Sequence, residues 1–145
     1  MRGRPLPRCL LVSLTLIATV FGAGCGGGKS DKQRINDTFT RLTRAIDARQ
    51  GAAACRLFTP EGRRAFERYQ NAAFRDQPPK SCEQIAGELT SVGSRLGDLQ
   101  IRGKAASAKL LDADRRPVAS GRPIAFRKVG GDWKIDKFGP FGVAT

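Results

Sequence analysis

The absence of histidine decides more about the chemistry of this 145-residue chain than any residue it contains. Without an imidazole there is no histidine general acid or base, no serine triad and no histidine metal site. Carboxylates remain, and Asp47, Asp132 and Asp136 are the candidates for acid–base work. Each falls on a charged helix or strand surface, where solvation is the ordinary fate of a carboxylate. No glycine-rich loop follows a strand and opens a helix, so a phosphate cradle lacks support. Among the thiols, Cys55 and Cys82 show no Cys-x-x-Cys spacing, and no imidazole is available to activate a thiolate. In an oxidising compartment these two pair most simply with each other. The loop they would close, about 28 residues, is worth roughly 3–4 kcal/mol in the chain-entropy picture; a redox thiol is the competing reading.

The compartment is indicated by the start of the chain. Arg2, Arg4 and Arg8 precede an apolar run from Cys9 to Ala23, with no acidic residue among them. A positive segment, a short apolar segment and then small residues is the order of a secretory leader, and the run is short of the about 20 residues a membrane span needs. The arginines are not adjacent, so no twin-arginine signal is present. Gly22-Ala23-Gly24 leads directly into Cys25, which resembles the lipobox of bacterial lipoproteins. That resemblance implies a diacylglycerol thioether on Cys25 and cleavage just before it. Ala23 and Gly24 match the pattern; Gly22 departs from it, since a branched apolar residue is usual there. The expected organisation is a leader over 1–24, a lipidated cysteine with a flexible glycine tether over 25–31, and one domain over 32–142. Cleavage near Ala23 with release of the protein, or an uncleaved anchor, are the alternatives.

Charge narrows the partners. The chain has 26 Lys and Arg against 13 Asp and Glu; loss of the three leader arginines leaves 23 against 13, a net of about +10. Export argues against nucleic acid, and the basic residues are scattered, with Arg63-Arg64, Arg115-Arg116 and Arg127-Lys128 as the pairs. No stacking aromatics interleave with them. Contact with anionic lipid headgroups or wall polymers is a secondary expectation, beside a generic solvated basic surface.

The elements that must position these groups are readable from periodicity. Ile35, Phe39, Leu42 and Ile46 form an apolar stripe on a helix over 31–49. Ala52 to Phe58 suits a short second helix burying Cys55. Thr59-Pro60-Glu61 opens a third, running to about Arg75 with Phe66, Tyr69 and Ala73 inward. Ser81-Cys82-Glu83-Gln84 is a capping box that starts a fourth helix, ending near Leu89. From about residue 98 the pattern changes to period two: Leu99 and Ile101; Ala106, Ala108 and Leu110; Ile124 and Phe126; Trp133 and Ile135. Asp112 to Pro117 marks a turn and Gly130-Gly131-Asp132 a hairpin. Helices followed by antiparallel strands predict an α+β fold with N-terminal helices packed on one face of a curved sheet.

This order, closing on Val129-Gly-Gly-Asp-Trp-Lys-Ile-Asp136, resembles small bacterial lipoproteins of the nuclear transport factor 2-like superfamily. The resemblance covers most of residues 31–139 and is most specific at Gly131 to Ile135. It implies a cystatin-like cone, a curved sheet wrapped around helices, with a cavity that some members use for ligands or catalysis. Phe39, Tyr69, Phe126 and Trp133 are the residues expected to line that cavity or to fill the core. Two functions follow. One is a non-enzymatic binding or interaction module, without cofactor or metal, lipid-anchored at the extracytoplasmic face of the membrane. The other is a small-molecule carrier or carboxylate-based enzyme using the cone. A buried carboxylate with no partner would favour the second.

Overall fold

Helix α1 (Asp31–Asp47) begins where Ser30 and Gln33 satisfy each other's unpaired donors. Ser30 Oγ accepts the Gln33 N–H at 3.2 Å and Gln33 Oε1 accepts the Ser30 N–H at 2.9 Å, closing a capping box. The computed structural model describes residues 28–91, 93–118 and 123–138. The expected leader, Cys25 and the end of the expected domain beyond 138 therefore lie outside the described residues. Ser30 and Asp31, read from the sequence as the end of the tether, are the cap and first residue of α1. The stripe Ile35, Phe39, Leu42 and Ile46 is buried as expected, and Thr38 and Ala45 join it. The helix stops two residues short of 49 because Arg49 takes a left-handed φ of 58°.

Helix α2 (Gly51–Cys55) is shorter than its sequence suggested. Residues 57–59 leave the helix to pair with a strand edge: Ile135 N–H donates to Leu57 C=O at 2.9 Å, and Thr59 N–H to Ile135 C=O at 2.8 Å. The open donors and acceptors of an edge strand take up this segment's backbone groups in place of one further helical turn. Helix α3 (Pro60–Ala73) starts at the Thr59 cap, whose Oγ1 accepts the Gly62 N–H at 2.9 Å. Its packed face is Gly62, Phe66 and Gln70. The expected inward positions of Tyr69 and Ala73 are not found: Tyr69 is 37% exposed and Ala73 is exposed. Steps of four set that face, leaving Tyr69 on its flank, and the helix end outruns the core, with residues 72–79 all exposed.

Helix α4 (Cys82–Glu88) opens on the Ser81–Gln84 capping box, as its sequence predicted. Cys82 is joined to Cys55 by a disulfide, with the two Cα atoms 6.1 Å apart. α2 and α4 cross closely enough that a Cβ on Gly51 would overlap the carbonyl oxygen of Glu83.

The strands β1 (Arg95–Arg102), β2 (Ala105–Leu111), β3 (Ile124–Val129) and β4 (Asp132–Lys137) form an antiparallel sheet in chain order. The β3–β4 hairpin turns on Gly130 and Gly131, at φ 58° and 91°, a conformation that favours glycine at both positions. Ala106, Ala108, Leu110, Ile124, Phe126, Trp133 and Ile135 form the buried face under α1 and α3. Both outer strands carry a bulge: the register slips by one residue between Gly97 and Gln100 in β1, and opposite Ala125–Phe126 in β4. Bulges bend and twist a strand, so the sheet curves at both edges. The architecture is α+β, helices on one face of a curved antiparallel sheet, as the sequence order predicted.

Candidate functional site

On α1, the flank beside the buried stripe carries Arg34, Arg41 and Arg44, all exposed. Arg41 and Arg44 join Arg56, just past α2, and Lys134 of β4 around a groove of about 570 Å³. Its floor is small and apolar: Ala45, Ala48, Ala53, Leu57 and part of Trp133. Along α1 it continues into a second stretch of about 470 Å³ that shares Arg41, Arg44, Asp132 and Trp133 and reaches Lys29 and Arg34.

Ion pairing divides the described basic residues into two sets, and unpaired ones such as Lys32, Arg68 and Arg95 occur outside the groove as well as within it. Arg63, Arg64, Lys80, Lys109, Arg127 and Lys128 each meet a carboxylate within 3.4 Å. Within the groove Lys29 alone does, bonding Asp37 at 2.6 Å. Arg34 donates to Gly131 C=O at 3.2 Å, Arg41 to Thr38 Oγ1 at 3.3 Å and Lys134 to Arg56 C=O at 3.3 Å. Among the described residues Arg34, Arg41, Arg44, Arg56 and Lys134 form no ion pair. Asp132 and Asp37 also line the groove, but the basic residues around it outnumber them and leave it net positive, and such an excess attracts anions within a Debye length of about 8 Å.

The wall of the groove is fixed by a small polar cluster. Trp133 Nε1–H donates to Asp31 Oδ1 at 2.9 Å, and Lys128 Nζ donates to the same carboxylate at 2.8 and 3.1 Å. Lys128 also sits 5.7 Å from the Trp133 ring centre. Thr38 Oγ1, buried, lies 3.0 Å from the Trp133 carbonyl it donates to, which locks α1 to β4. The Lys128 hydrogen bond, then the Trp133 N–H, hold the Asp31 carboxyl below its ordinary titration range. A carboxylate with a depressed folded pKa stabilises the fold above its unfolded pKa of about 4 and loses that contribution as pH falls through the folded value. Asp31→Asn is therefore expected to lower Tm at pH 7 and at pH 5, with the gap to the parent closing as melts are repeated toward pH 2. A gap that stays constant down to pH 2 would show that the carboxylate charge contributes nothing.

Of the residues singled out from the sequence, Phe39, Phe126 and Trp133 are buried core side chains, while Tyr69 stands apart on the outer flank of α3. Asp47 accepts the Ser91 N–H at 3.0 Å and its hydroxyl at 2.7 Å. Asp132 is exposed at the lip of the groove. The solvated role expected for Asp136 is corrected: it is 8% exposed. The β4 bulge places Ile135 and Asp136 both inward. There Asp136 accepts from Thr59 Oγ1 at 2.9 Å and from Arg127 at 2.8 Å, bracing the cap of α3. Among the described residues no group of three or more Cys, Asp or Glu is placed to hold a metal, and no helix is long and apolar enough to cross a membrane.

Sequence reasoning missed the groove. A signal existed on α1, where Arg34, Arg41 and Ala48 recur every seven residues beside the apolar stripe. Arg56 and Lys134 carry no such signal, because only the pairing of residues 57–59 with β4 brings them together.

No protein-family model matches the chain, and no curated protein matches it. Among solved structures the chain is similar to a Mycobacterium tuberculosis protein described as of unknown function, at 20% identity over 73% of this chain and 72% of that one, TM-score 0.40. It is likewise similar to a nuclear transport factor 2-like protein with a cystatin-like fold from Novosphingobium aromaticivorans, at 18% identity over 74% and 78% of the two chains, TM-score 0.40.

Proposed function

We propose that this protein is a non-enzymatic binding module, held at the extracytoplasmic face of the membrane by a lipid on Cys25, which offers the groove along α1 to an anionic ligand. The observation that carries the reading is that groove: five cations without carboxylate partners around a small apolar floor. The packing of the interior supports it. In a cone of the nuclear transport factor 2-like kind a ligand would sit between helices and sheet, where this chain buries Phe39, Phe126 and Trp133. Catalysis by a carboxylate needs a group poised between its protonation states and free to reach a substrate. Asp136, the buried candidate, is instead engaged by Arg127 and Thr59. Among the described residues no buried side-chain nitrogen or oxygen lacks a partner.

The leader and the cysteine that follows it support the anchor. A single thioether-linked diacylglycerol carries two acyl chains, enough for stable membrane attachment. Cys25→Ala is expected to move the protein from the membrane fraction to the soluble fraction, or to leave it unprocessed with its leader attached. Membrane retention of a processed Cys25→Ala protein, read by fractionation and intact mass, would rule the anchor out.

A further inference from the structure

We infer that the α1 groove is the face by which the domain rests on an anionic bilayer, its arginines and lysines against headgroup phosphates. The inference rests on the lipid anchor just proposed and adds an orientation to it. Cys25 precedes Lys29, the cation at the near end of the groove, by four residues. Four extended residues span at most about 14 Å, so the groove starts close to the headgroups whatever path the tether takes. From there it follows α1, whose 17 residues extend about 25 Å. Gly26-Gly27-Gly28 carries no side chain with which to orient a domain. Orientation must come from the domain's own charges, and only those within about 8 Å of the surface act on it at physiological salt. Arg34, Arg41, Arg44, Arg56 and Lys134 form no ion pair among the described residues and lie along the groove that begins at Lys29, so all five meet the headgroups when α1 lies along the surface. The alanine and leucine floor matters too: beneath long basic side chains it leaves the charged ends standing furthest out.

Each basic residue at an anionic surface strengthens association by about fivefold, so Arg41→Gln/Arg44→Gln is expected to weaken the domain–surface contact by about 25-fold. Both arginines are exposed, so the double variant leaves the core alone. Trp133 is the only tryptophan and lines the groove, which makes its fluorescence a local reporter. The full lipidated protein would be reconstituted in phosphatidylcholine vesicles, with or without phosphatidylglycerol, each doped with a headgroup-nitroxide lipid. Sedimentation reads the anchor, and quenching of Trp133 reads the orientation.

The expected result is sedimentation with both vesicles but strong quenching only with phosphatidylglycerol. That quenching should be lost in Arg41→Gln/Arg44→Gln and kept in Arg68→Gln/Arg75→Gln, which removes equal charge from α3 and the turn just past its end. Equal quenching in both vesicles, or equal loss in the two variants, overturns the orientation. So does co-purification of an anionic polymer that occupies the groove and blocks quenching. Failure to sediment with neutral vesicles overturns the anchor separately. The groove is then judged on anionic vesicles alone, where arginine-dependent sedimentation upholds it and arginine-independent sedimentation overturns it.

Discussion

Trp133→Ala is expected to remove about 3–5 kcal/mol of folding free energy, the usual penalty for emptying the site of a buried aromatic side chain. The residue is 2% exposed, on the strand that α1, α3 and the 57–59 segment all contact. Its loss leaves a cavity under α1 and releases the Asp31 carboxylate from one of its two donors. Domains of this size have about 5–15 kcal/mol in total, so the variant would be marginal at 37 °C. Urea unfolding followed by far-UV circular dichroism measures the change without needing the lost fluorophore. Trp133→Phe keeps most of the apolar volume and gives up the hydrogen bond, so its loss should be smaller. A Trp133→Ala protein within about 1 kcal/mol of the parent would mean that the site collapses freely and that Trp133 does not hold α1 to the sheet.

Breaking the disulfide is expected to have an effect of similar size. Cys55 and Cys82 are 27 positions apart and fully inside the fold, in α2 and α4. Restricting that loop in the unfolded chain corresponds to about 3–4 kcal/mol. Cys55→Ala/Cys82→Ala should therefore melt at a distinctly lower temperature than the oxidised parent, and the parent in reductant should approach it. Intact mass before and after reduction checks that the parent carries the bond. Because Gly51 and Glu83 already meet backbone to backbone, α2 and α4 should keep their crossing in the folded variant. The loss would then appear as destabilisation rather than altered structure. Two free thiols in the native protein, or equal melting with and without reductant, would remove the bond from the account.

How far the fold is legible depends on the range of the interactions that set each part. The starts of α3 and α4 were legible because their chemistry is local: Thr59 with Gly62, and Ser81 with Gln84, each close within three residues. The same holds for the Gly130-Gly131 turn and for the α1 stripe, where side-chain periodicity alone names the buried face. Elimination gave the disulfide, since only two cysteines follow Cys25. Tyr69 and Ala73 misled because periodicity gives the direction a side chain takes but not whether anything lies opposite it; the end of α3 projects past the core.

Other features were set by contacts between distant parts of the chain. Asp136 looks like a solvated strand residue until one extra residue in β4 turns it under the Thr59 cap, 77 positions away in sequence. The basic groove depends on the same kind of long-range register. Arg41 and Lys134 lie more than ninety positions apart, and they share a surface because Thr38 and Trp133, and Leu57 and Ile135, hydrogen-bond between distant parts of the chain. Composition and local pattern thus determined which reactive chemistry is missing, where the helices begin and which thiols pair. Which carboxylate is buried and which cations gather was decided by strand register and edge pairing, because those depend on partners that no short stretch of sequence contains.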